Sequence, residues 1–128
     1  MIEVSQLSLS VICGGQSSEH DVSLISAKNI ARHALSVVAD VAIIYVTHQG
    51  EWLLLNSTDA FIHHNDLSGQ AIQLTPGRTS PWCLQSTQEP QVVDVVFPII
   101  HGTTGEDGCL QGCLQLLNIP FIGPHVLG

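Results

Sequence analysis

Gly14-Gly15-Gln16-Ser17-Ser18-Glu19-His20-Asp21-Val22-Ser23 decides how the rest of this chain is read. An apolar run, Leu7 to Cys13, precedes it, and a segment of helical period, Val22 to Leu35, follows. A strand that feeds a glycine turn and opens a helix is how an α/β fold places a binding site at the carboxyl edge of its sheet. Glu19, His20 and Asp21 bring a carboxylate, an imidazole and a candidate cap to one helix entrance. A loop needed only to reverse the chain would not require that mixture.

Working outward, Leu7 to Cys13 begins with alternation and ends fully apolar, which suits a first strand entering a buried sheet. On a helical wheel Leu24, Ala27, Ile30, Ala31, Ala34 and Leu35 gather on one stripe. Ser18 or Asp21 is placed to cap the start. Val22 projects away from the stripe, so it is a candidate contact for a small apolar group of a substrate.

Ala39 to Thr47 is a second strand of β-branched character, His48-Gln49-Gly50 is a turn, and Glu51 to Leu55 returns as a hairpin partner. Residues 56 to 91 read as an excursion on the sheet edge, with a short helix near Asp59 to His64 and extended pieces at Ala71 to Leu74 and Trp82 to Gln85. Val92 to Ile100 is a buried strand leading into His101-Gly102-Thr103-Thr104-Gly105-Glu106-Asp107-Gly108. A second amphipathic helix follows over Cys109 to Asn118, then a short strand at Phe121 to Pro124. Two loaded loops, each after a strand and before a helix, open onto the same edge of a parallel sheet.

Composition narrows the chemistry. The chain has 128 residues, enough for one domain with a core, and 45% of them are hydrophobic. Only Lys28, Arg32 and Arg78 oppose eleven acids, for a net charge of −8, which excludes a nucleic-acid or anionic-membrane footprint. No phosphate-binding G-x-x-x-x-G-K-[ST] occurs, so if the protein handles a nucleotide such as ATP, most of the phosphate machinery is expected elsewhere. No signal segment or membrane-spanning run is present, and the chain reads as cytoplasmic, with Cys13, Cys83, Cys109 and Cys113 as free thiols in small core positions. The histidines, His63-His64 included, show no metal-ligand spacing, and no metal site is expected.

Two helix entrances facing one crevice present free N–H groups that suit a carboxylate or a phosphate. A glutamate at the first entrance suits an ammonium, so the pair fits a small zwitterion such as an amino acid. An imidazole at His101 could orient or polarise a carboxyl group. Read alone, Glu19, Glu106 and Asp107 could equally be first-turn helix acids, and His101 could merely end a strand.

Gly14-Gly15-x-Ser17-x-Glu19-His20-x-Val22-Ser23 with Ser26-Ala27 resembles the first motif of the D-alanine–D-alanine ligases. His101-Gly102-x-x-Gly105-Glu106-Asp107-Gly108-x-x-Gln111-Gly112 with Ile119-Pro120-Phe121-x-Gly123 resembles their second. The resemblance covers the chain apart from residues 56 to 91, and only the amino-terminal domain of that family. It implies a Rossmann-like, pre-ATP-grasp α/β domain of three layers with a mostly parallel sheet, residues 1 to 128, with the ATP-grasp domain absent from this chain. The full enzyme of that family uses ATP and Mg²⁺ to make an acyl phosphate of one D-alanine, which the amine of a second attacks. The product is the dipeptide of peptidoglycan.

Carried over, Glu19 resembles the residue that binds the first D-alanine's ammonium, with Val22 near its methyl group. His101 is similar to the histidine at the substrate carboxyl and acyl phosphate, and Glu106 to an acid supporting it. ATP and Mg²⁺ belong to the complete enzyme and are not expected on this domain alone. The implied partners are D-alanine, the remaining ATP-grasp domains and a second subunit in a homodimer. Two alternatives stay open: a D-alanine–D-lactate or D-alanine–D-serine ligase, and a flavodoxin-like module holding a cofactor phosphate at Gly14 to Ser18. Glu19 would repel the phosphate, and the G-x-G-x-x-G spacing is missing.

Overall fold

The computed structural model describes residues 3–16, 18–76 and 78–99. After a 3-10 turn at Val4–Gln6, the chain forms β1 (Ser8–Gly14), α1 (His20–Ala34), β2 (Asp40–Val46), β3 (Trp52–Leu55), α2 (Thr58–His64), β4 (Gly69–Leu74), β5 (Trp82–Leu84) and β6 (Val95–Ile99). The strands form one sheet in the order β5-β4-β3-β2-β1-β6. The expected α/β class is what is found.

Parallel pairing is concentrated where the site lies. β1 runs parallel to β2, with Cys13 opposite Tyr45, and parallel to β6, with Cys13 opposite Ile99. The β2–β3, β3–β4 and β4–β5 pairings are antiparallel, so among the described residues the sheet is mixed and not mostly parallel as expected. The turn between β2 and β3 is too short for a crossover, so β3 must come back alongside β2. Residues 56–91, expected as an edge excursion, build α2 and two strands of that antiparallel half. The expected helix near Asp59 to His64 starts one residue earlier, capped by the Ser57 side chain, which accepts the Ala60 N–H at 3.0 Å.

Alternation along the strands sorts the core into two faces. Leu9, Val11 and Cys13 of β1, with Val41, Ile43 and Tyr45 of β2, join Leu24, Ala27 and Ala31 of α1 and Phe61 of α2. Ile12, Ile44, Val46 and Val96 face the other way, with Ile72, Trp82 and Leu84. β1 and β2 are therefore apolar on both sides, which is why they read as continuous hydrophobic runs.

The wheel drawn for α1 holds at Leu24, Ala27 and Ala31, which are buried, and fails at Leu35, the C-cap, which is 47% exposed. Neither Ser18 nor Asp21 caps this helix. Its N-cap is Glu19, whose side chain makes no capping bond, while Asp21 sits in the first turn. The Lys28 ammonium lies 5.5 Å from the centre of the Phe61 ring and ties α1 to α2. Among the described residues no helix is long and apolar enough to cross a membrane.

Candidate functional site

The glycine turn begins where β1 ends. Gly14 and Gly15 have φ of 95° and 104°, a region that costs other residues strain. A Cβ at Gly14 would run into the carbonyl oxygen of Val46. The Gly15 N–H donates to that same carbonyl at 2.8 Å, so the turn is bound to the carboxyl end of β2.

Ser23 joins three elements from inside α1. Its hydroxyl accepts the Gly14 N–H at 2.9 Å and donates to the carbonyl of Ile99, the last residue of β6. Ser23 is fully buried, so this one oxygen satisfies two main-chain groups that water does not reach.

His20 opens α1 and is 3% exposed. Its Nδ1 lies 2.6 Å from the Gly15 carbonyl oxygen and its Nε2 3.0 Å from the Tyr45 hydroxyl. The ring of His48, from the β2–β3 turn, stacks on it with centroids 3.7 Å apart and planes inclined by 16°. Burial raises the Tyr45 phenol above its ordinary value, and repulsion from Asp21, and from Cys13 once that thiol ionises at high pH, adds to that. Burial also pushes the Cys13 thiol up to about 12, so this cysteine stays protonated and unreactive.

The structure brings two of the four candidate site residues to one place. Glu19, the N-cap of α1, and Val22, in its first turn and 49% exposed, stand at the edge where β1, β2 and β6 all end. His101 and Glu106 lie outside the described residues, as do Cys109 and Cys113. His101 follows Ile99 by two positions, and Ile99 pairs with Cys13 one residue before the glycine turn.

Sequence reasoning passed over Ser23, Tyr45 and His48 as functional residues and gave His20 no role beyond its place at the helix entrance. Their roles depend on register. Tyr45 reaches His20 because Gly14 pairs with Val46, and no local pattern announces that pairing. The one available signal was a phenol and a histidine at the end of an otherwise aliphatic strand.

The described residues bring neither a metal-holding cluster nor a basic side chain to the glycine turn. No group of three or more His, Cys, Asp or Glu side chains among them could hold a metal ion. Of the basic residues Lys28 lies over Phe61, Arg32 donates to Asn29 and Arg78 lies in the β4–β5 turn, none of them at the glycine turn. The arrangement can instead offer a carboxylate and a small apolar side chain to a cationic ligand at the sheet edge.

The profile of the family described as "D-ala D-ala ligase N-terminus" matches residues 8–124. The D-alanine–D-alanine ligase of Coxiella burnetii (strain RSA 331 / Henzerling II) is 39% identical over 94% of this chain and 35% of the relative. That of Shouchella clausii is 41% identical over 92% of this chain and 34% of the relative. Among solved structures, the D-alanine-D-alanine ligase from Coxiella burnetii superposes with a TM-score of 0.80 at 37% identity, covering 92% of this chain and 35% of that one. VanG D-Ala:D-Ser ligase from Enterococcus faecalis gives 0.76 at 29% identity, covering 91% and 35%. The chain thus spans about a third of the length of these relatives. With a profile running from the first residue of β1 past both glycine-rich loops, the chain belongs to the family of D-alanine–D-alanine ligase N-termini.

Proposed function

We propose that this chain supplies the amino-acid side of the crevice in an ATP-dependent ligase that joins two D-alanines for peptidoglycan. The observation that carries this reading is the place of Glu19 and Val22 on the first turn of α1, at the shared carboxyl edge of β1, β2 and β6. Both side chains are exposed there. Glu19 would hold the ammonium of the first D-alanine, and Val22 would pack against its methyl group. The substrate carboxyl is then left facing outward, toward the parts of the enzyme that bind ATP and Mg²⁺. His101 would contact that carboxyl, with Glu106 supporting it. Residues outside 1–128, in an ATP-grasp domain, would supply the phosphate and metal contacts that the described residues do not offer.

A second reading differs only in the second substrate. The similarity to VanG D-Ala:D-Ser ligase is the observation that favours it.

The test is Glu19→Gln in the complete ligase, with D-alanine and ATP varied separately. The substitution keeps the shape and loses the charge. It is expected to lower kcat/KM for D-alanine about thirtyfold or more, while ATP affinity hardly moves. Wild-type kcat/KM for D-alanine would return Glu19 to an ordinary first-turn acid. D-serine or D-lactate accepted in place of the second D-alanine would decide between the two ligase readings.

A further inference from the structure

His20 is a buried titratable side chain that the substrate reading leaves without a task, and all of its polar atoms are engaged. A carbonyl oxygen can only accept, so the 2.6 Å contact with Gly15 places the ring proton on Nδ1. Nε2 of the neutral ring is then a lone-pair acceptor, and the Tyr45 hydroxyl, 3.0 Å away, donates to it. Tyr45 also meets the ring edge to face, with centroids 5.3 Å apart and planes at 86°. His48 covers the opposite part of the ring by stacking.

These contacts join three segments. Gly15 is the glycine turn, Tyr45 is the carboxyl end of β2, and His48 is the β2–β3 turn. A Cβ on Gly50 of that turn would lie 3.2 Å from Gln16 Nε2, so the two turns also lie against each other away from the histidine. His20 is the residue after Glu19, and the Glu19 carbonyl accepts the Ser23 N–H at 3.0 Å as the first bond of α1. Whatever holds the His20 ring therefore holds the backbone of Glu19.

We propose that His20 is a positioning residue for the substrate carboxylate. Its ring, kept as the Nδ1–H tautomer between Gly15 and Tyr45, pins the first turn of α1 to β1 and β2 and so sets where Glu19 stands. This rests on the reading of Glu19 as the ammonium ligand. A small displacement of a binding group costs affinity without touching the reacting atoms, so the effect belongs in KM for D-alanine.

Two measurements test it. In the 128-residue chain near neutral pH, ¹⁵N spectra of the His20 ring are expected to show a protonated Nδ1 and a bare Nε2. The opposite tautomer, or a mixture, would overturn the proposal. In the complete ligase Tyr45→Phe keeps the aromatic packing and removes one hydroxyl. It should raise KM for D-alanine about fivefold, with kcat and KM for ATP within about twofold. His20→Leu should raise it about as far as Glu19→Gln, and His20→Asn, which keeps an N–H donor for the Gly15 carbonyl, should recover part of the loss. Equal shifts in the D-alanine and ATP parameters, or no difference between His20→Leu and His20→Asn, would make His20 merely structural and sink the idea. If Glu19→Gln itself leaves KM for D-alanine unchanged, the substrate reading fails and the positioning role falls with it. An effect at Glu19 with none at His20 or Tyr45 overturns the positioning role alone.

Discussion

Ser23 holds Gly14 in place: its hydroxyl oxygen accepts the Gly14 N–H at 2.9 Å while donating to Ile99, so α1 is bolted between the ends of β1 and β6. Ser23→Ala removes the oxygen and leaves both main-chain groups buried without that partner. A buried donor or acceptor so stranded costs about 1–3 kcal/mol. Urea unfolding should show a loss of that order, with the slope against denaturant unchanged. A loss within the scatter of surface substitutions would mean that water or a shift of the strand ends replaces the hydroxyl.

Gly14→Ala should be worse. The residue has φ of 95°, and the added Cβ meets the Val46 carbonyl oxygen, which is backbone and itself bound by Gly15. Strain of about 1–3 kcal/mol from the dihedral alone adds to the cost of moving β2. The expected outcome is a chain that is unfolded or insoluble at 37 °C. Gly50→Ala shares the strain, with φ of 89°, but meets only the movable end of Gln16, so it should remain folded at reduced stability. A Gly14→Ala melting temperature equal to that of Gly50→Ala would contradict the packing argument.

Alkaline pH should unfold this domain partly through Cys13. Its thiol is raised from 9.0 to about 12 in the folded chain. A raised folded value gives stability that is complete below the unfolded value and is lost as pH climbs toward the folded one. Between pH 9 and 12 the unfolded state releases a proton that the folded state keeps, so stability falls by about 1.4 kcal/mol per pH unit for this group. Tyr45, also raised, adds to the fall above pH 10. Unfolding curves for the wild type and Cys13→Ala, measured at neutral and alkaline pH, should converge as pH rises. Parallel pH profiles would remove the thiol from the account.

The 128-residue chain alone is expected to release no phosphate from ATP when D-alanine is added. It has one lysine, and no metal-holding group occurs among the described residues. Binding of D-alanine by this chain should also be very weak, since an exposed carboxylate–ammonium pair competes with water and salt. A phosphate-release assay and an NMR titration would check both. D-alanine-dependent release, or tight binding, would show that residues 1–128 hold far more of the site than Glu19 and Val22.

The local grammar of the chain was legible from residue order. Apolar runs marked β1 and β2, the 3.6-residue spacing of Leu24, Ala27 and Ala31 marked α1, and Gly14-Gly15 marked the turn that carries Glu19. Such signals are local, because burial and backbone freedom act on neighbours in sequence. Which half of the sheet would be antiparallel, and which side chains would meet, depended on register between segments far apart. His20 and Tyr45 are separated by 25 positions, Ser23 and Ile99 by 76. No local pattern encodes either pairing, since a shift of one residue along β2 would turn Tyr45 to the other face of the sheet. Residue order alone placed a glutamate, a histidine and a serine at one helix entrance. Only the packing of three strand ends around that entrance gave the histidine and the serine their partners, because buried polar groups must be satisfied wherever the fold brings them.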